Sequence, residues 1–231
     1  MDLHQLILHL QSQNGGNISP LKALGGSLGC SILWCYAELF TTALFSHMIF
    51  VDQSPLQNST LDGWDSRYCN RGMNSAPAVA ALQTTLAFSP ETAHKGTIAA
   101  CLAYRSHSLA SDEVTEKQSH EDEAFFLGEA MKGNSLWYGK LMADHTALDW
   151  RDSICASFGP GSGSKVKVLV VASSRSGCFP AAGPMKVVEF VNGGEKERKA
   201  RGVVVEWGGH WCYWEKPELF NELVLEFFDG R

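Results

Sequence analysis

Leu24-Gly25-Gly26-Ser27-Leu28-Gly29 runs directly into Cys30-Ser31-Ile32-Leu33-Trp34-Cys35-Tyr36-Ala37-Glu38-Leu39-Phe40, and this stretch decides how the rest of the chain is read. It holds Gly-x-Ser-x-Gly at 25–29, followed at once by an apolar segment with helical spacing. That is the pattern of a nucleophile elbow, a sharp strand-to-helix turn that lifts a serine hydroxyl to the top of a sheet. Such a turn strains the serine backbone. Glycine two residues to either side is expected to avoid collision with the neighbouring strand and helix. The following helix aims its N-terminus at the serine, where free N–H groups, that of Leu28 first, stabilise a developing oxyanion. In a chain with 22 glycines the same residues also suit a glycine-rich loop, so the pattern needs a partner.

The partner stands near the other end. Val203-Val204-Val205-Glu206-Trp207 reads as a strand, Gly208-Gly209-His210-Trp211 as a loop, and Lys216 to Phe228 as an amphipathic helix. A histidine after a late strand is where a general base stands when the serine comes early and the histidine last. Ser27 and His210 are therefore the first two candidate catalytic residues.

Composition bounds the rest. The chain has 231 residues with 45% apolar content, enough for one substantial core, and one domain over 1–231 is expected. A net charge of −6 without a basic stripe argues against nucleic acid as a partner. Seven cysteines (30, 35, 69, 101, 155, 178 and 212) are scattered with no Cys-x-x-Cys pair, so their spacing indicates neither a disulfide framework nor a zinc site. Met1-Asp2-Leu3-His4 lacks the basic opening of a signal peptide, and no apolar run reaches the length of a membrane span. A soluble, intracellular protein is expected.

Leu3, Leu6, Ile7 and Leu10 predict an amphipathic helix over 2–12, and Gln13 to Asn17 a loop. The strand delivering Ser27 lies within Ile18–Leu24 and starts near Leu21, because Pro20 cannot donate to a ladder. Phe45 to Val51 is a buried strand with Asp52 at its carboxyl end, where parallel sheets keep their ligand crevice. From Leu56 to Asp152 the signals are helical: 76–88, 89–104, 121–131, 135–142 and 149–158, with a polar loop over 106–118. This insertion at 56–152 reads as a helical lid. After Gly159-Pro160-Gly161-Ser162-Gly163-Ser164, the chain returns to strand (165–172), helix (184–191), strand (202–207) and closing helix (217–228). That alternation predicts an α/β fold, a mostly parallel sheet with helices on both faces.

The two motifs, their order and the lid between them resemble the α/β-hydrolase superfamily, over essentially the whole chain. More narrowly, Phe50-Val51-Asp52-Gln53-Ser54-Pro55-Leu56-Gln57-Asn58 and Ser174-Arg175-Ser176-Gly177-Cys178-Phe179-Pro180 are similar to fungal hydrolases of this fold, some from gene clusters for epoxy-decatrienoic host-selective toxins. The resemblance implies Ser27 as nucleophile and His210 as base. It implies an ester or thioester of a small hydrophobic acyl substrate, and no metal or organic cofactor. A peroxisomal setting is implied too, with cytoplasm the alternative, because Phe228-Asp229-Gly230-Arg231 lacks a Ser-Lys-Leu-like ending. The family's Gly-x-x-Asp-x-x-x-Pro pattern, aligned on Pro180, puts Ser176 at the acid position. Other members carry the acid after an earlier strand, where Asp52 stands; Asp52 also suits a turn or capping carboxylate.

One departure follows from the numbering. Only 26 residues precede Ser27, room for one helix and one strand, so the sheet is expected to be N-terminally shortened. The segment that brings a second oxyanion donor has no counterpart, which leaves Leu28 N–H alone. A non-catalytic, binding relative of the fold is the alternative function. Among the remaining candidates, His145 beside Asp144 and Asp149 reads as a helix-junction residue more than a metal ligand, and His107 and His120 as solvated. Trp207, Trp211, Tyr213 and Trp214 read as packing around the base, Ser31 as structural, and Glu121-Asp122-Glu123 as a solvated helix start.

Overall fold

The computed structural model describes residues 2–16, 18, 20–59, 63–194 and 199–230. The expected first loop includes Asn17 and the approach to the first strand includes Ser19. Both, like Met1 and Arg231 at the termini, lie outside the described residues.

Four strands, β1 (Leu21–Gly26), β2 (Phe45–Val51), β3 (Lys167–Ser173) and β4 (Ala200–Val205), form one sheet in the order β1-β2-β3-β4. Every pairing is parallel. The helices are α1 (Asp2–Gln13), α2 (Leu28–Phe40), α3 (Ala76–Phe88), α4 (Pro90–Cys101), α5 (Ala103–Ser106), α6 (Glu116–Ala130), α7 (Ser135–Ala147), α8 (Arg151–Phe158), α9 (Ala182–Asn192), α10 (Cys212–Glu215) and α11 (Pro217–Asp229).

Strand periodicity explains why Met48 to Val51 of β2 and Val168 to Ala172 of β3 are apolar at every position. Met48, Phe50, Val168 and Val170 enter one core with Ile7 of α1, Leu33 and Trp34 of α2, Ile154 of α8 and Val187 of α9. Their sequence neighbours Ile49, Val51, Leu169 and Val171 enter a second core with Cys212 of α10 and Phe220 of α11. The two cores cover both faces of the sheet, and each fully buried aliphatic chain contributes about 1.5–3 kcal/mol. Among the described residues, no helix is long and apolar enough to cross a membrane.

The helical stretch between β2 and β3 leaves and re-enters at one point. Leu56 bridges Asp149 in antiparallel fashion, and Trp150 N–H donates to Pro55 O at 2.9 Å. Inside it, the expected single helix over 89–104 is two. Leu102 is extended (φ −98, ψ 124) and separates α4 from α5, because the Glu215 carboxylate accepts the Ala103 N–H at 2.9 Å from outside the helix. Helix α6 begins at Glu116, inside the expected polar loop, with the Thr115 hydroxyl accepting the Gln118 N–H at 3.1 Å. The acidic run at 121–123 therefore lies in mid-helix rather than at a start. Asp122 is buried and accepts from Tyr104 Oη at 2.7 Å and Trp214 Nε1 at 3.2 Å, while Glu123 pairs with Arg105. β4 sits two residues earlier than expected and ends at Val205.

Candidate active site

The parallel register brings three strand ends to one level. Gly26 pairs with Val51 and Val51 with Val171. Beyond them, Ser27 N–H donates to Val51 O (2.9 Å), Asp52 N–H to Val171 O (2.7 Å) and Ser174 N–H to Val205 O (3.0 Å). Ser27, Asp52 and Ser173 thus line the carboxyl edge of the sheet, where this architecture leaves its crevice.

Ser27 lies between β1 and α2 with φ 52 and ψ −121. A non-glycine residue there stores about 1–3 kcal/mol of strain, held by the strand before it and the helix after it. The two motif glycines differ. A Cβ on Gly25 would lie 2.5 Å from the Gly29 carbonyl carbon and oxygen, whereas a Cβ on Gly29 meets nothing within 4 Å. The close approach demands glycine at 25 only, contrary to the expectation for both. Gly25→Ala is expected to destabilise by about 2–3 kcal/mol and lower Tm by roughly 5–10 °C. Gly29→Ala, inside α2, should hold or raise Tm. Differential scanning calorimetry of the two variants checks this, and equal losses would reject the asymmetry.

Asp52 carries a positive φ of 49 just beyond β2 and is 1% exposed. Its Oδ1 accepts the Ser173 N–H at 3.1 Å, and its Oδ2 lies 2.7 Å from His210 Nδ1. In the neutral imidazole this contact keeps the proton on Nδ1 and leaves Nε2 as the free ring nitrogen. Ser176, at the position where the resemblance expects an acid, instead accepts the Cys178 and Phe179 N–H groups at 3.1 Å and caps its own turn. The carboxylate bonded to His210 is that of Asp52.

The His210 loop is anchored from the insertion. Glu215 accepts Gly209 N–H at 2.6 Å as well as Ala103 N–H, and Trp211 N–H donates to Cys101 O at 3.0 Å. Burial pushes the Glu215 carboxyl up, against these backbone donors. A Cβ on Gly209 would lie 2.7 Å from Ala103 N, so the loop packs backbone to backbone against the α4–α5 break. Trp211 stacks on Phe126 (4.1 Å between ring centres) and Trp214 on Phe125 (5.0 Å), which fixes α6 to the same loop.

Two sulfur atoms share the site. Cys101 Sγ and Cys178 Sγ are 3.7 Å apart, and these two atoms and a His210 ring nitrogen all lie within 4.8 Å of one another. The thiol of Cys101 and the charge of His210 draw Cys178 below the ordinary thiol range despite its burial. Burial pushes His210 down, but negative charge on Cys178 and Asp52 outweighs it and lifts the imidazole to about 9. No local spacing announces Cys101, Cys178 or Glu215. The two cysteines are 77 positions apart, and only the folded chain joins them. Among the described residues, Ser27 Oγ makes no hydrogen bond to His210.

A cavity of about 430 Å³ opens beside Leu28, lined also by Ser31, Ile32, Leu141, His145 and Leu148. His145, read from the sequence as a helix-junction residue, is buried within α7, and burial holds its imidazole down at about 4, with Asp144 opposing. His120 is exposed and pairs with Glu116 at 3.7 Å; exposed His107 meets the Arg175 carbonyl at 3.2 Å.

No protein-family model matches this chain, and no curated protein matches it in sequence. Solved structures do match its shape. An esterase from Exiguobacterium antarcticum is 18% identical with a TM-score of 0.75, over 98% of this chain and 70% of that one. A bromoperoxidase from Bacillus anthracis is 13% identical with a TM-score of 0.77, over 99% and 72%. An α/β-hydrolase enzyme from a Medee basin deep-sea metagenome library is 17% identical with a TM-score of 0.66, over 98% and 70%. The chain therefore has the α/β-hydrolase fold and spans about 70% of the length of these chains.

Proposed function

We propose that the protein is a serine hydrolase that cleaves an ester or thioester of a hydrophobic acyl group. The observation that carries this reading is the 2.7 Å Asp52–His210 contact, set at the same sheet edge as a serine in a strained strand-to-helix turn. In the reaction, which runs on the His210 form that has lost its Nε2 proton and so gains rate as pH rises toward about 9, Ser27 Oγ attacks the carbonyl carbon and its proton passes to His210 Nε2. Asp52 stabilises the imidazolium through Nδ1–H. The oxyanion is met by Leu28 N–H at the positive end of α2. His210 then protonates the leaving alcohol or thiol. Water, deprotonated by the same nitrogen, releases the acid and restores Ser27.

The helical insertion at 56–152 acts as the lid, and the cavity beside Leu28 receives the acyl chain. Its lining of Ile32, Leu141 and Leu148 supports an apolar substrate. The resemblance of residues 50–58 and 174–180 to fungal toxin-cluster hydrolases supports an acyl intermediate of secondary metabolism, in a peroxisomal setting. A second reading, a non-catalytic ligand-binding relative, is favoured by the missing Ser27–His210 hydrogen bond.

A fluorophosphonate probe separates the two. The first reading expects one adduct, mapped to Ser27 and lost in His210→Ala. A folded sample that takes up no probe rejects the hydrolase.

A further inference from the structure

We propose that Cys101, Cys178 and His210 form a three-ligand site for zinc, and that the bound ion silences the proposed hydrolase by occupying its base. The silencing rests on the hydrolase reading; the metal site does not.

Geometry is the first support. Two thiolates bound tetrahedrally to zinc at about 2.3 Å stand about 3.8 Å apart, and a thiolate and an imidazole nitrogen about 3.6 Å. Here the sulfurs are 3.7 Å apart, with the His210 nitrogen inside the same 4.8 Å envelope. The sulfur separation already matches a tetrahedron's edge.

The support around the ligands is the second. Metal-binding histidines donate their other N–H to a carboxylate, which orients the ring. Asp52 Oδ2, 2.7 Å from His210 Nδ1, stands in that place. Backbone bonds tie the three ligand segments together. Gly177 N–H donates to Ala100 O at 3.0 Å, and Trp211 N–H to Cys101 O at 3.0 Å, so the residues beside each ligand are fixed to one another. A Cβ on Gly177 would lie 2.5 Å from Ala100 O, which keeps the 174–180 turn against α4. The segments that carry the ligands are thus held to one another by their backbones.

Ligand chemistry selects the ion. Two thiolates and an imidazole suit zinc or its spectroscopic substitute cobalt(II), and do not suit magnesium or calcium. Binding requires both sulfurs as thiolates and Nε2 unprotonated, so it releases whatever protons these three atoms hold, and the third contact uses the Nε2 lone pair that would otherwise accept the serine proton. Three protein ligands leave a fourth position for water. With the lone pair committed to metal, Ser27 has no base.

The test uses the full chain, freed of metal by chelation and kept reduced so that the sulfurs cannot join as a disulfide. Cobalt(II) titration should give 1:1 uptake with a thiolate-to-metal charge-transfer band in the near ultraviolet, displaced by zinc and unaffected by magnesium. Cys101→Ser and Cys178→Ser should each weaken binding at least 100-fold. Absence of the band in folded wild-type protein overturns the site without reference to any variant, as does an undiminished band in Cys101→Ser. Equimolar zinc should also suppress fluorophosphonate labelling more than tenfold in wild type, while in Cys101→Ala, whatever its absolute labelling rate, adding zinc should change that rate less than twofold. Zinc bound with labelling undiminished overturns the silencing. A cobalt band in a protein that never labels sustains the metal site and rejects the hydrolase instead.

Discussion

Replacing Ser27 with alanine is expected to reduce turnover of a chromogenic acyl ester by roughly 10³- to 10⁶-fold with little change in Tm. The size follows from covalent chemistry, because without Oγ there is no acyl-enzyme and only the oxyanion contact and binding remain. Stability should barely move, since alanine at φ 52 meets the same backbone strain as serine. Ser27→Gly sharpens the point. It removes nucleophile and strain together, so it should be equally inactive yet more thermostable than wild type. Steady-state kinetics beside calorimetry reads both effects. Residual activity above a tenth of wild type in Ser27→Ala would place the chemistry elsewhere.

Asp52→Asn should lower kcat by about 10⁴-fold. If the asparagine keeps its oxygen on Ser173 N–H, its amide donor faces His210 Nδ1. The ring proton then moves to Nε2, the nitrogen that must accept from Ser27. If the amide flips, its NH₂ confronts the Ser173 N–H and a buried donor goes unpaired, at about 1–3 kcal/mol. Either orientation harms the site. Nitrogen-15 NMR of the imidazole should show the exchanged tautomer in the first case, a signature that general loosening would not produce. An Asp52→Asn variant within tenfold of wild type would sink Asp52 as the acid.

Residues 25–29, 52 and 210 stood out in the sequence because each lies at an element end, where local patterning is strongest. Met48 to Val51 of β2 and Val168 to Ala172 of β3 are continuous apolar runs, and the glycines before His210 mark its loop. What was not legible depends on contacts between distant segments. The break at Leu102 is imposed by Glu215, more than a hundred positions away. The acidic run at 121–123 looked solvated because nothing local tells that Tyr104 and Trp214 bond Asp122. Gly29 looked indispensable because the motif pairs it with Gly25, yet only three-dimensional space shows which of the two has no room. Cys101 and Cys178 carried no spacing signal at all.

The placing of Ser27 after β1 and Asp52 after β2 within one β1–α2–β2 unit, with His210 joined to Asp52 across 158 positions, has a consequence during synthesis. The serine and the carboxylate can be set by a short local closure as soon as that unit has emerged. The histidine waits for β4 to dock on the free side of β3, and it then closes the longest loop in the site. A nascent chain halted before β4 would hold a strained serine with no base beside it, and so would be chemically inert. If the protein is the proposed hydrolase, the onset of probe reactivity is a clock for the last folding step.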